Sequence, residues 1–113
     1  MVSAPGRDEP CYVISVAARL VRMHPQTLRY YEALGLVTPH RSSGNKRLYS
    51  PRDIERLRKI GRLVGELGVN LAGVEVVLNM SERLEQIQMD MERAEAEMGA
   101  EILRLRERLG EPQ

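Results

Sequence analysis

The stretch HPQTLRYYEALGLV, His24 to Val37, decides how this chain folds. Pro25 suits the first position of a helix, where its missing N–H would lack a partner anyway. Gly35 is placed to end that helix in a left-handed conformation. Leu28, Tyr31 and Leu34 fall on one face, and Gln26, Arg29, Tyr30 and Ala33 on another. The first face is apolar enough to pack; the second is polar and exposed. His24 reads as the cap of this helix rather than a ligand or a pH switch.

Upstream, Tyr12, Val13 and Ile14 form a short apolar lead-in. Ser15 is a plausible N-cap for a helix from Val16 to about Met23. Ala17, Leu20 and Val21 would face its core by their spacing. Downstream, Pro39 to Tyr49 reads as a loop with two short extended arms. Ser42-Ser43-Gly44-Asn45 supplies the turn between them, and Arg41, Lys46 and Arg47 surround it. Leu48 and Tyr49 can anchor the returning arm. A helix, a tight turn, an exposed polar helix and a basic hairpin is how a winged helix-turn-helix meets a DNA duplex.

Ser50-Pro51-Arg52-Asp53 is a helix-opening signature, with Asp53 in the reciprocal acidic role of a capping box. The helix it opens carries Ile54, Leu57, Ile60, Gly61 and Val64 toward a core and ends near Gly68. Asn70 looks like a further N-cap, before a short apolar helix holding Leu71, Val74, Val77 and Leu78.

From Ser81 onward the pattern becomes a narrow apolar seam. Leu84, Ile87, Met91, Ala94, Met98, Ile102, Leu105 and Leu109 follow steps of 3 and 4, with one stutter between Met98 and Ile102. Most other positions there are charged. A helix with so narrow a stripe needs a partner, and a dimeric coiled coil fits better than packing on its own small domain.

Charge divides along the same line. Residues 1–63 hold 12 Lys and Arg against 5 Asp and Glu; residues 64–113 hold 5 against 11. A basic first half suits a phosphate backbone, and an acidic second half is repelled by it. Cys11 is the lone cysteine, so neither a disulfide framework nor a zinc site is expected. No apolar run reaches the ~18 residues of a membrane span, and MVSAPGRDEP lacks an apolar signal core. A cytoplasmic, nucleoid-associated protein is the expectation, with no catalytic cluster, metal or cofactor and no membrane association.

On the features quoted, with Thr27-Leu28-Arg29-Tyr30-Tyr31-Glu32, Gly35-Leu36, Arg47-x-Tyr49 and Asp53-Ile54, the chain resembles the DNA-binding domain of MerR-type regulators over about residues 12–80. Within that family it is most similar to the heat-shock repressor (HspR) branch. Tyr12 to Ala18, Met23 to Arg29 and Val69 to Val74 carry that likeness. The resemblance implies a homodimeric repressor on an inverted repeat of double-stranded DNA, controlling chaperone genes with the DnaK chaperone as co-repressor. Metal-sensing members carry cysteines near the dimer helix, and this chain has none after Cys11. Only four residues follow Leu109, so the ligand domain of drug-sensing members, and a small-molecule ligand, are not expected.

The fold predicted is mainly α: a disordered tail over 1–11, a winged helix-turn-helix DNA-binding domain over 12–80, a coiled-coil dimerisation helix over 81–109 and a tail over 110–113. Candidate DNA contacts are Gln26, Thr27, Arg29 and Tyr30 on the recognition helix, with Tyr31 a core residue whose hydroxyl reaches toward a phosphate. The wing adds Arg41, Asn45, Lys46 and Arg47. Tyr49 is either a wing anchor or a phosphate contact. Arg52 lies at a helix N-terminus, which favours anions. Two rivals stay open: a MerR-type regulator answering to another protein, such as a nitrogen-control enzyme, and an adaptor whose coil is the real binding surface.

Overall fold

A computed structural model describes residues 4–110, in two units divided between residues 75 and 76. The parts of the two expected tails at 1–3 and 111–113 lie outside the described residues.

In the first unit, strand β1 (Tyr12–Val13) runs directly into helix α1 (Ile14–Val21). A three-residue turn leads to α2 (Pro25–Ala33). Strands β2 (His40–Arg41) and β3 (Arg47–Tyr49) then form the hairpin. β3 lies at the centre of a small antiparallel sheet, with Tyr12 opposite Tyr49 and Arg41 opposite Arg47. Helix α3 (Pro51–Gly61) follows, relaxing into a π-helical turn over Arg62–Glu66. Helix α4 (Leu71–Arg108) follows, and a turn at Leu109–Gly110 closes the described chain.

The local chemistry explains most of these limits. His24 caps α2, its Nδ1 accepting from the Gln26 N–H at 3.0 Å. Gly35 ends α2 at φ 77°; its own N–H donates to the Glu32 carbonyl and that of Leu36 to the Tyr31 carbonyl. Those two bonds are the paired closure of a helix that reverses through a left-handed residue. Ser50 and Asp53 form the full capping box of α3, at 2.9 and 3.1 Å. Asn70 caps α4 through its Oδ1, which accepts from the Gly73 N–H at 2.8 Å.

Four readings need correction. Helix α1 begins at Ile14, so Ser15 is inside it; the cap position is Val13, with no side-chain cap. The β1 strand feeds the helix directly and leaves no room for a separate cap. The buried face of α1 is Ala17 and Ala18, and Leu20 is 40% exposed. Leu34 is likewise 44% exposed, because the chain is already leaving the helix there and Leu36 takes the buried place beside Tyr31. Residues 7–11, expected in a disordered tail, are tied down: the Cys11 N–H donates to the Tyr49 carbonyl and the Arg52 N–H to the Arg7 carbonyl. Finally, the apolar helix after Asn70 and the seam helix are one element rather than two.

The core of the first unit is Ala17, Leu28, Tyr31, Leu36, Val37, Tyr49, Ile54, Leu57 and Ile60, with Val74 buried at the start of α4. Burying each large aliphatic side chain among them is worth about 1.5–3 kcal/mol. In the second unit almost everything is exposed. Leu84, Met91, Met98 and Leu109 are 64, 54, 65 and 76% accessible, and Ile87, Ala94, Ile102 and Leu105 are exposed too. Val76 and Met80 continue the same line toward the helix start and are also exposed.

Candidate nucleic-acid interface

Helix α2 presents the polar face its spacing predicts. Gln26, Arg29 and Tyr30 are exposed, Thr27 is half-buried, and Leu28 and Tyr31 point into the core. Arg29 donates to the Gln26 amide oxygen at 3.2 Å, so the two longest polar side chains of that face are held together. Tyr30 stands on the surface at 53% exposure, its ring 6.1 Å from the buried ring of Tyr31. An amide and a guanidinium side by side on an exposed helix are the groups that read purine edges in a major groove.

The hairpin is a tight, well-bonded wing. The Ser42 N–H donates to the Lys46 carbonyl at 2.9 Å, and the Ser42 hydroxyl accepts from the Lys46 N–H at 3.2 Å. Asn45 takes the left-handed position at φ 61°, which Asn tolerates better than most residues. Lys46 is exposed at the tip.

The wing is fastened to the recognition helix by one acid. Glu32 of α2 accepts from Arg41 of β2 at 2.9 Å and from Arg47 of β3 at 2.5 Å. Its side chain is only 19% exposed. Burial there pushes the carboxyl pKa up, but the hydrogen bonds and charges of Arg47 and Arg41 outweigh it and hold the group below its ordinary value. Arg41 and Arg47, read from sequence as wing cations, are thus first of all the two arms of a clamp. Glu32 was missed as a site residue, although it is the one acid between Glu9 and Asp53 in a basic stretch.

For two candidates the structure narrows the role. Tyr49 is 0% exposed and its hydroxyl is buried without a hydrogen-bond partner, so it anchors the wing and cannot touch a phosphate. Burial, above all, raises the pKa of that phenol. Arg52, expected to hold an anion at the start of α3, already holds one: its Nε lies 2.6 Å from the Asp8 carboxylate. Two further arginines brace the unit, Arg56 donating to the Leu36 carbonyl and Arg58 to that of Leu20. Both sit on the polar side of α3, where the sequence singled out only Arg52 and the Asp53 cap.

Among the described residues, no three His, Cys, Asp or Glu side chains converge as metal ligands, and no helix is long and apolar enough to cross a membrane.

The pattern of MerR HTH family regulatory proteins matches residues 12–81. A Streptomyces coelicolor protein designated heat shock protein HspR is 49% identical over 81 residues, 72% of this chain and 54% of that protein. The HTH-type transcriptional regulator GlnR of Bacillus anthracis is 38% identical over 76 residues, 67% of this chain and 58% of that one. The chain therefore spans little more than half the length of these curated relatives. Among solved structures, the transcription regulator of Ralstonia metallidurans in complex with lead(II) superposes with a TM-score of 0.60 at 30% identity, over 86% of this chain and 80% of its own. A MerR-family regulator from Bacillus cereus gives 0.55 at 26% identity, over 81% and 74%.

Proposed function

Because this chain belongs to the MerR family of helix-turn-helix regulatory proteins, we propose that it is a sequence-specific DNA-binding repressor that works as a homodimer on an inverted repeat. The observation that carries this reading is the pairing of an exposed Gln26–Arg29–Tyr30 face with a wing clamped to the same helix through Glu32. A helix and a wing locked together meet a duplex as one rigid surface. Gln26 and Arg29 would read base edges from the major groove, with Thr27 and Tyr30 beside them. Lys46 at the wing tip, with the outer edges of Arg41 and Arg47, would take the phosphate backbone or minor groove.

The exposed seam of α4 supports a dimer. Eight apolar positions from Leu84 to Leu109 face solvent along one stripe, an arrangement that a partner helix covers. Two recognition helices related by a twofold axis would then meet half-sites about one helical turn, or a multiple, apart.

The similarity to HspR supports the narrower reading, control of heat-shock genes with DnaK as co-repressor. Under it, misfolded protein draws the chaperone away and repression falls. Selection from a random-sequence DNA pool at physiological salt, with and without DnaK, tests both levels. Enrichment of one inverted repeat, sharpened by DnaK, is the expected result. Enrichment indifferent to DnaK would discard the chaperone and keep the regulator; no enrichment would discard the regulator.

A further inference from the structure

At the start of α3 the chain sets one of its own carboxylates against an arginine. Asp8 Oδ1 lies 2.6 Å from Arg52 Nε. The backbone follows the same course: the Arg52 N–H donates to the Arg7 carbonyl at 2.9 Å. Arg7 Nη2 reaches Glu55 one turn further along α3, at 3.2 Å. The segment then continues into Cys11, whose N–H extends the pairing of β3. The first turn of α3 has no spare backbone donor: Pro51 has none, the Asp53 N–H is bound by the Ser50 hydroxyl and the Arg52 N–H by the Arg7 carbonyl, while one guanidinium nitrogen of Arg52 is ion-paired with Asp8.

A carboxylate on an arginine at a helix N-terminus has the charge and acceptor geometry of a backbone phosphate. The same cleft is lined by His40 and Arg41, the outgoing strand of the wing. The contact is also easy to open, since the Arg52 and Asp8 side chains are 50% and 73% exposed. Exposed pairs of this kind contribute little to stability. Such a pair is strong enough to occupy the arginine and weak enough to yield it.

We infer that residues 7–8 form an autoinhibitory arm, in which Asp8 holds Arg52 against a DNA phosphate and must be displaced when the domain docks. The inference rests on the reading of this domain as a DNA binder. Arg52 would meet backbone rather than base, so the cost falls equally on every sequence. The arm therefore lowers occupancy of random DNA without altering which sequence is preferred.

The test measures full-length chain on a mixed-sequence duplex across a salt series. Asp8→Asn is compared with Glu9→Gln, which removes the same charge one residue away; among the described residues Glu9 has no ion pair. Both are repeated in an Arg52→Ala background. Asp8→Asn is expected to tighten binding about two- to five-fold at low salt. It should also steepen the log–log salt slope by ~0.9, one more phosphate engaged. Glu9→Gln should give clearly less. In the Arg52→Ala background the advantage of Asp8→Asn should vanish. Equal effects of the two single variants, or a gain that survives removal of Arg52, would overturn the arm. If wild type and every variant alike fail to bind duplex at low salt, the DNA-binding reading itself falls, and that result is distinct from the other two.

Discussion

Glu32 and Arg47 join the recognition helix to the returning strand of the wing across 2.5 Å, and Arg41 closes the same carboxylate from the outgoing strand at 2.9 Å. One acid sets the angle between the two surfaces proposed to meet a duplex together. Replacing it should therefore disturb binding more than stability. Glu32→Gln keeps size and loses charge. It should cost about 1–2 kcal/mol of folding stability, in the range for a partly buried charged hydrogen bond. A urea titration measures this; an unchanged midpoint would show that the clamp holds nothing.

The same pair predicts an acid response. The Glu32 carboxyl is held below its ordinary 4.5. A group depressed on folding adds stability above its unfolded-state value and loses that contribution as pH falls through the folded-state value. Stability of the wild type should thus drop more steeply than that of Glu32→Gln below about pH 4.5. Parallel stability–pH curves for the two proteins would count against the clamp.

Tyr49→Phe should leave stability unchanged or raise it, by up to about 1 kcal/mol. The hydroxyl is buried without a partner, and an unmet buried polar group costs about 1–3 kcal/mol. Thermal unfolding checks the sign. A loss above 1 kcal/mol would show that the hydroxyl is satisfied after all. Operator affinity should not change, because the ring is fully enclosed.

Arg22→Gly should stabilise the protein by about 1 kcal/mol. Arg22 closes α1 in the left-handed region at φ 56°, ψ 46°, where a side chain costs roughly 1–2 kcal/mol and glycine costs almost nothing. A destabilised variant would mean that the Arg22 side chain makes a compensating contact.

Ile87→Lys with Leu105→Lys should convert a dimer to a monomer while leaving far-ultraviolet helix content largely in place below residue 76. Both side chains are 45% exposed on the seam. Sedimentation at about tens of micromolar, well above the Kd expected for a seam of several heptads, decides it. A wild type already monomeric there would refute the coil.

Much of this architecture is legible in the chain, and the reason is local. Pro25, Gly35, the Ser50–Asp53 box and Asn70 act within one turn of themselves, so their neighbours in sequence suffice to read them. The seam from Leu84 to Leu109 is legible because a helix repeats itself. What escaped depends on distance. Glu32 meets Arg41 and Arg47 only once the hairpin folds back, and Asp8 meets Arg52 only once the arm crosses α3. Tyr49 carried two readings, anchor and phosphate contact, and packing chose the first. The shift of α1 came from a strand too short to see, whose pairing with β3 started the helix at Ile14.

The central claim is that the exposed face of α2 reads sequence while the wing supplies backbone affinity. The direct measurement is the affinity of Arg29→Ala and Lys46→Ala for the selected operator and for mixed-sequence duplex. Arg29→Ala should lose about 1–3 kcal/mol on the operator and far less on the mixed duplex, so the specificity ratio falls. Lys46→Ala should weaken both equally and flatten the salt slope by about one phosphate. Equal losses on both duplexes for Arg29→Ala would contradict the account, because the helix would then be gripping backbone and something else would be reading the bases.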